Sequence, residues 1–306
     1  MKAKWLFEKD VFEDNTDKLI EIVKSKGMDA KVVQYIPFDT DLVERCSKIF
    51  DKDDCVIFYG SLNFGKKLKK LPWVPGVYLD KKAFECTSYY PALSDLLMHH
   101  EDYTMLPYGD LINKKEWLFE NFGKSGEIFM RPNSGTKEFT GMVCSYGKFE
   151  ECVELAGFYD VEDDLLVLVS SVKPLKSEWR FVIVDREVVS GSLYRDWGSP
   201  EKIEPGITTR DYVLMNSHSR HELCEDTRAW ELAKICARRY NPDRAWTIDI
   251  ASVEGGTYHV LEIGCFSCAG MYGNDLEKVV DAVSKAAKDE WDEYYVDLTN
   301  TQDNGD

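Results

Sequence analysis

The first sixty residues alternate strand-like and helix-like segments, and this alternation limits the fold more than any other feature of the chain. Lys4–Phe7 (KWLF) reads as a strand, Asp14–Lys26 as an amphipathic helix and Ala30–Tyr35 (AKVVQY) as a second strand. Asp41–Phe50 then reads as a helix, and Asp54–Gly60 (DCVIFYG) as an apolar strand ending in glycine. Parallel neighbours need a long crossover, usually a helix, so the order predicts a small parallel sheet covered by helices. Ligands gather outside the carboxyl ends of such strands, which singles out the turn Gly60-Ser61-Leu62-Asn63. An ordinary strand-to-helix turn is the other reading of those four residues.

A second unit of mixed character begins near residue 95. Lys114–Asn121 is predicted helical, Gly126–Arg131 and Gly141–Ser145 extended, and Lys148–Gly157 helical. Leu165–Val172 (LLVLVSSV) is an apolar run of strand length. Glu178–Val184 and Val188–Tyr194 flank the turn-like Asp185-Arg186-Glu187 and predict an antiparallel hairpin. Thr227–Tyr240 reads as a helix, Trp246–Ser252 and Tyr258–Ile263 as a hairpin across Glu254-Gly255-Gly256, and Leu276–Trp291 as a last amphipathic helix. The acidic tail Thr299–Asp306 is expected to be unstructured. No repeat or low-complexity block interrupts the pattern.

Composition excludes several classes. The 306 residues carry 38 Lys and Arg against 55 Asp and Glu, a net charge of −17, which opposes general attraction to nucleic acid or anionic membranes. At 44% hydrophobic the chain is not a disordered one, and no apolar run approaches the roughly 20 residues that span a bilayer. The start MKAKWLFEKD lacks the apolar core of a signal peptide. Nine cysteines, most inside apolar segments, fit a reducing cytoplasm. Cys265 and Cys268 form a C-x-x-C pair with no second pair at zinc-finger spacing.

Three segments carry chemistry. The loop from Arg131 to Gly141 (RPNSGTKEFTG) joins two strands and is rich in small residues between Arg131 and Lys137. Its N–H groups, hydroxyls and two cations suit a polyphosphate, although it is no Walker A loop and also reads as a plain hairpin tip. Asp249 in WTIDI and Glu262 in VLEI are single acids within apolar strands. An unpaired buried carboxylate costs several kcal/mol, so the two need a cation or donors, and together they suit Mg²⁺; the alternative is that both face solvent. In Lys173-Pro174-Leu175-Lys176-Ser177-Glu178-Trp179-Arg180, followed by Tyr194-Arg195 on the return strand, Arg180 and Arg195 are expected to be neighbours with an anion between them; a solvated charged hairpin is the alternative.

The order of R-P-x-S-G-x-K-x-F-T-G, E-W-R-F-V-I-V-D, S-G-S-L-Y-R, a D-I strand and L-E-I-G-C-F-S-C-A-G resembles the ATP-grasp superfamily, in its arginine-and-two-lysine branch known from phages and bacteria. The resemblance covers roughly residues 1–275. It implies an α/β (α+β) ATP-grasp fold: a small N-terminal parallel α/β domain (1–95), a nucleotide-lid subdomain (96–175) and a metal- and phosphate-binding subdomain (176–298), followed by the tail (299–306). It also implies ATP and Mg²⁺ as cofactors in a bacterial or host cytoplasm. Arg131 and Lys137 would contact phosphate, with Thr140 beside them. Val169 and Ser170 would begin the adenine hinge, with Lys173 and Glu178 near the nucleotide. Arg180 would contact phosphate or an acyl-phosphate, Asp249 and Glu262 would hold the metal, and Arg195, Gly60 and Ser61 would lie toward substrate. Gly264 stands where the superfamily usually places a third, asparagine ligand.

The implied reaction is ADP-forming ligation of a carboxylate to an amine through an acyl-phosphate, on a small molecule, peptide or protein tail. A catalytically reduced ATP-binding module and a phosphotransferase are the competing expectations. The five histidines (99, 100, 218, 221, 259) form no catalytic arrangement, and Trp73, Tyr89, Tyr90, Trp197 and Arg210 are candidates for lining a substrate pocket.

Overall fold

The computed structural model describes residues 2–158, 161–196 and 218–303. The leading α/β unit runs β1 (Lys4–Glu8), α1 (Glu13–Ser25), β2 (Asp29–Val33), α2 (Leu42–Cys46), β3 (Cys55–Tyr59), α3 (Leu62–Leu68) and β4 (Val74–Gly76). Its strands lie in the order β2-β1-β3-β4, all parallel, as the alternation predicts. Every residue of β3 is buried, because helices cover both faces. The register Phe7↔Tyr59 sets Glu8 and Gly60 side by side at the carboxyl ends of β1 and β3.

After α4 (Cys86–Leu93) comes an antiparallel sheet built from β5 (Tyr103–Pro107), β6 (Glu127–Pro132), β7 (Met142–Ser145) and β8 (Leu166–Ser171), in the order β5-β8-β6-β7. Helices α5 (Lys115–Phe122) and α6 (Phe149–Gly157) bury Leu118, Phe119, Phe149 and Val153 against Ile128, Met130, Val167 and Val169. Strand alternation therefore turns Phe129 and Arg131 to the opposite face.

The third sheet orders β11 (His218–Leu223), β10 (Glu187–Asp196), β9 (Leu175–Val184), β12 (Ala245–Val253) and β13 (Tyr258–Cys265), antiparallel throughout. The β9–β10 hairpin closes through Asp185 and Arg186, both at positive φ (47° and 69°), as a two-residue turn matched to strand twist requires. One face of this sheet is apolar from end to end: Trp179, Phe181, Ile183, Trp246, Ile248 and Ile250 share a core with Ala229, Leu232, Ala233, Cys236 and Ala237 of α7 (Thr227–Arg239). The other face changes character along β9. Val182 and Val184 pack under α8 (Leu276–Asp303) with Val279, Val280 and Val283, whereas Glu178 and Arg180 continue the same face as charged residues.

Two expectations are corrected. The last helix reaches Asp303, so 299–303 are helical rather than unstructured. Pairs such as Lys285–Asp289 and Lys288–Asp292 support its exposed side, and no Gly or Pro interrupts the sequence before Gly305. Trp73, Tyr89 and Tyr90 are buried core residues rather than exposed lining; Trp197 and Arg210 lie outside the described residues. Among the described residues no helix is long and apolar enough to cross a membrane.

Asp243, just ahead of β12, is pushed up to about 7 by burial, with the Arg244 N–H and Lys69 opposing and Glu290 and Asp80 adding to the rise. A carboxyl whose folded pKa exceeds its unfolded value binds more protons when folded, so stability falls as pH rises from roughly 4 to 7. The thermal midpoint measured across that window should decline in the parent protein and decline less in Asp243→Asn.

Candidate active site

The charged half of the third sheet is built by strand register. Asp249 stands opposite Arg180 of β9 on one side and opposite Glu262 of β13 on the other, so the three side chains project from one face. Asp249 is only 3% exposed, which rules out the solvent-face reading. Arg180 satisfies it bidentately, Nε donating to Oδ1 at 2.8 Å and Nη2 to Oδ2 at 2.6 Å. Its Nη1 donates to the carbonyl of Gly270 at 3.2 Å. The guanidinium lies against the rings of Tyr194 and Tyr272, 5.6 and 5.1 Å from their centroids, and these two rings stack on each other.

Glu262 ties this face to the lid sheet, because Arg131 Nη1 lies 3.1 Å from its Oε2. Burial pushes the Glu262 carboxyl up, but Arg131, Lys137 and Arg180 outweigh burial and hold it below the usual glutamate range. The cations of the upstream loop and the acids of the C-terminal strands thus converge on one place. Phe129, beside Arg131 on the same face of β6, stacks on the buried ring of His99, whose centroid is 5.9 Å away. Burial pulls His99 down to about 3, so the imidazole is neutral.

The loop after β6 is tied down on the inner side. Cys86 N donates to the Asn133 carbonyl at 2.7 Å and Thr87 N to Asn133 Oδ1 at 2.9 Å. The Ser134 and Thr136 hydroxyls bond at 2.6 Å, Thr136 passes its own bond to Glu138, and Lys66 reaches the Thr136 carbonyl. A Cβ on Gly135 would sit 2.4 Å from Phe84 Cβ, so only glycine lets the loop lie this close. Lys137 takes φ 49° and is exposed, as is Thr140. This geometry favours an ordered lid over a plain hairpin tip.

Other expected site residues have more local roles. Arg180 and Arg195 do not flank a shared anion. Arg180 faces Ser192, and a bulge between Leu193 and Arg195 aligns Arg195 with Glu178, whose Oε1 lies 3.9 Å from Arg195 Nη1. Each arginine has its own carboxylate: Arg180 lies opposite Ser192, and the bulge sets Arg195 opposite Glu178 where a regular ladder would put it opposite Ser177. Glu178 is buried and accepts the Tyr194 hydroxyl. Lys173 pairs with Asp102, which also accepts from Ser171. Val169 packs into the lid core and Ser170 is buried beside it, with β8 paired to β5 and β6 on its two edges; Val172–Pro174 form the connection to β9. Ser61 caps α3 by accepting from Phe64 N, and its own N–H donates to Glu8 Oε2 at 2.6 Å. Gly60 N donates to the Ser267 carbonyl at 2.9 Å, which joins the leading domain to the turn after β13.

Sequence reasoning missed Tyr194, Tyr272 and the loop Gly270–Asp275. Tyr272 has φ 50°, a left-handed conformation rare for an aromatic residue. Ser192 accepts from Gly273 N and Ser190 from Asp275 N, so β10 holds this loop against the site. The spacing G-M-Y-G-N-D was the available signal. Beside it lies a cavity of about 350 Å³ lined by Asn15, Lys18, His221, Tyr272, Gly273 and Asn274.

The donor chemistry fits a hard cation in part. Asp249 and Glu262 present carboxylate oxygens on one face, and each oxygen that accepts an arginine keeps a further lone pair. Gly264 supplies no third side chain; a Cβ there would meet Thr247 Oγ1 at 3.0 Å, and Thr247 already donates to the Gly264 carbonyl. Among the described residues no group of three or more metal-ligating side chains gathers anywhere. Phosphate oxygens and water would have to complete the shell.

A parallel α/β sheet followed by two antiparallel sheets that clasp such a cleft defines the ATP-grasp fold. A family model described as "ATP-grasp domain, R2K clade family 2" matches residues 113–282, more than half of the chain, and the protein belongs to that family. Comparison with curated proteins finds no match. Among solved structures, the chain is similar to the D-cycloserine synthetase DcsG, at 15% identity over 93% of this chain and 99% of that one, with a TM-score of 0.58. It is also similar to the ATP-grasp ligase PsnB complexed with a minimal precursor (14% identity, 94% and 99% covered, TM-score 0.55). D-alanyl-alanine synthetase A from Vibrio cholerae O1 biovar eltor matches at 12% identity, 94% and 99% covered, with a TM-score of 0.58. At these identities the structural likeness establishes the fold.

The Arg180–Asp249 pair is buried on both sides, whereas Arg195 is 46% exposed. Removing either member of the first pair should cost about 3–5 kcal/mol, by leaving a buried charge unmatched. In urea-unfolding double-mutant cycles to alanine, Arg180–Asp249 should couple by more than about 1 kcal/mol and Arg195–Glu178 by less.

Proposed function

We propose that the protein is an ATP- and Mg²⁺-dependent carboxylate–amine ligase that releases ADP and phosphate. The observation that carries this reading is the ion pair between Arg131 of the lid sheet and Glu262 of the C-terminal sheet, with Lys137 and Arg180 acting on the same carboxylate. A triphosphate in this cleft would meet three cations and two acids. Asp249 and Glu262 would hold Mg²⁺, which neutralises phosphate charge when bound. The structures similar to this one include a D-cycloserine synthetase and a ligase bound to a peptide precursor, so the acceptable substrate classes run from amino acids to peptide or protein tails.

A carboxylate is a poor electrophile, so the γ-phosphoryl group must first pass to it. The resulting acyl-phosphate carries a good leaving group for attack by an amine. No protein nucleophile is required; this chain's residues position and neutralise. Arg131 and Lys137 would hold the phosphates from the lid side. Arg180, fixed by Asp249 and the Tyr194–Tyr272 pair, would face the transferred group. Val172–Lys173 would hold the base near the His99–Phe129 stack, with Glu178 behind them. Arg195, Gly60 and Ser61 would lie toward acceptor and donor.

A second reading, an ATP-binding module without turnover, is favoured by Gly264 and by the pairing of each acid with an arginine. Incubation with ATP, Mg²⁺ and an amino-acid mixture separates the two. A ligase yields ADP and a new amide mass; ATP binding by calorimetry with no ADP under any acceptor supports the module. Release of AMP and pyrophosphate would overturn the proposed mechanism. Lys137→Ala and Glu262→Ala should each lower turnover by about 100-fold or more with the fold retained by circular dichroism. Arg195→Ala should chiefly raise the KM for the acceptor.

A further inference from the structure

The C-x-x-C pair just beyond the site takes no part in the chemistry described so far. Cys265 is the last residue of β13 and caps a single 3₁₀ turn, Phe266–Cys268. In such a turn positions three apart eclipse, separated by about 6 Å of rise, which lies inside the Cα window of about 4.4–6.8 Å that a disulfide needs. Both are free thiols, Cys265 as the extended residue (φ −70°, ψ 140°) that enters the turn and Cys268 as its last residue. The turn is held on every side. Ser267 accepts from Gly60 N through its carbonyl and from Tyr78 N through its hydroxyl, both at 2.9 Å. Phe266 packs edge-on against Trp5 and Tyr78. Gly65 of α3 leaves room for the second sulfur, since a Cβ there would sit 3.2 Å from Cys268 Sγ.

We propose that Cys265 and Cys268 are a redox-active dithiol that a small peroxide closes to a disulfide. Four other cysteines provide a contrast within the same chain. Burial in apolar surroundings pushes Cys46 and Cys224 up to about 11 and Cys55 and Cys236 up to about 12, which leaves them inert as nucleophiles. Cys265 lies in the opposite environment: the Cys268 thiol and N–H, with Lys137 nearby, outweigh burial and hold it below the ordinary thiol range. Cys265 is 6% exposed and Cys268 partly exposed, so the oxidant has to be little larger than water. Hydrogen peroxide meets that limit.

The Cys265 thiolate attacks one peroxide oxygen; an S–O bond forms, the O–O bond breaks, and hydroxide leaves. That hydroxide takes the Cys268 proton and becomes water. The Cys268 thiolate then attacks Cys265 sulfur, forming the S–S bond and expelling a second hydroxide, which takes the proton first lost by Cys265. Two thiols and one peroxide give one disulfide and two waters, with two electrons passing from sulfur to oxygen.

The experiment exposes the reduced, full-length protein to equimolar hydrogen peroxide, alkylates it at intervals and maps the peptides by mass spectrometry. The expected result is a peptide spanning 265 to 268 that has lost two hydrogen masses, forms about tenfold faster than Cys55 or Cys236 is modified, and reverts with dithiothreitol. Cys268→Ser should instead leave a sulfenic acid on Cys265 that dimedone traps. Full alkylation of both cysteines after peroxide, or oxidation of Cys55 and Cys236 at the same rate, would overturn the proposal. So would irreversible sulfinic acid on Cys265 beside an intact Cys268 thiol. None of these readouts involves ATP, so they stand apart from the ligase assays.

Discussion

The structure depends on how it keeps charge on a buried strand face. Asp249 and Glu262 lie in largely apolar strands; Asp249 is buried and Glu262 only partly exposed, so little water offsets their loss of hydration. The fold answers with two guanidinium groups from different places: Arg180 from the adjacent strand, Arg131 from another sheet. A buried ion pair contributes little net stability when made, but breaking one is costly, so the pairs act mainly to dictate arrangement. Arg131 reaches Glu262 only if the lid sheet stands over the C-terminal sheet. The cleft between the two sheets is thus a consequence of charge compensation as much as of packing.

The division of the third sheet into an apolar half and a charged half follows from where the last helix runs. Val182 and Val184 are covered by the helix from Leu276, while Glu178 and Arg180, on the same face of the same strand, lie beyond that cover. The Gly270–Asp275 loop that leads into the helix is pinned by Ser190 and Ser192, and it brings Tyr272 against Arg180. Apolar cover, a tethered loop and an oriented arginine are one continuous construction. The turn Phe266–Cys268 extends it to the leading domain through Ser267, Gly60 and Tyr78, so the parallel sheet and the C-terminal sheet meet at a fixed contact.

Much of this was legible in advance. The β/α alternation, the hairpin at Asp185–Arg186 and the lone acids at 249 and 262 are local signals carried by strand period and turn chemistry, although they leave open which face the acids take. The partner of each acid was less legible. Arg195 looked like a neighbour of Arg180, but the hairpin register sets Arg180 opposite Ser192 and the bulge after Leu193 sets Arg195 opposite Glu178, and neither leaves a mark in the pattern of apolar residues. Tyr89 and Tyr90 looked like pocket residues because aromatic hydroxyls suit substrate sites; they are buried where α4 packs against the core. The last helix outran its expected end because acidic composition suggests solvation, which an exposed helix satisfies equally well.

By itself the sequence determined which segments become strands and helices, that the leading sheet is parallel, and that two lone carboxylates in apolar strands would need cations if buried. These follow from periodicity, from the crossover that parallel strands demand, and from the cost of hiding a charge. Tertiary structure decided which arginine serves which acid, that Tyr194 and Tyr272 flank Arg180, and that two cysteines at the end of a strand share a hydrogen bond. Those outcomes depend on register, bulges and the seating of one sheet over another, which are set by contacts between residues far apart in sequence, 69 positions for Arg180 and Asp249.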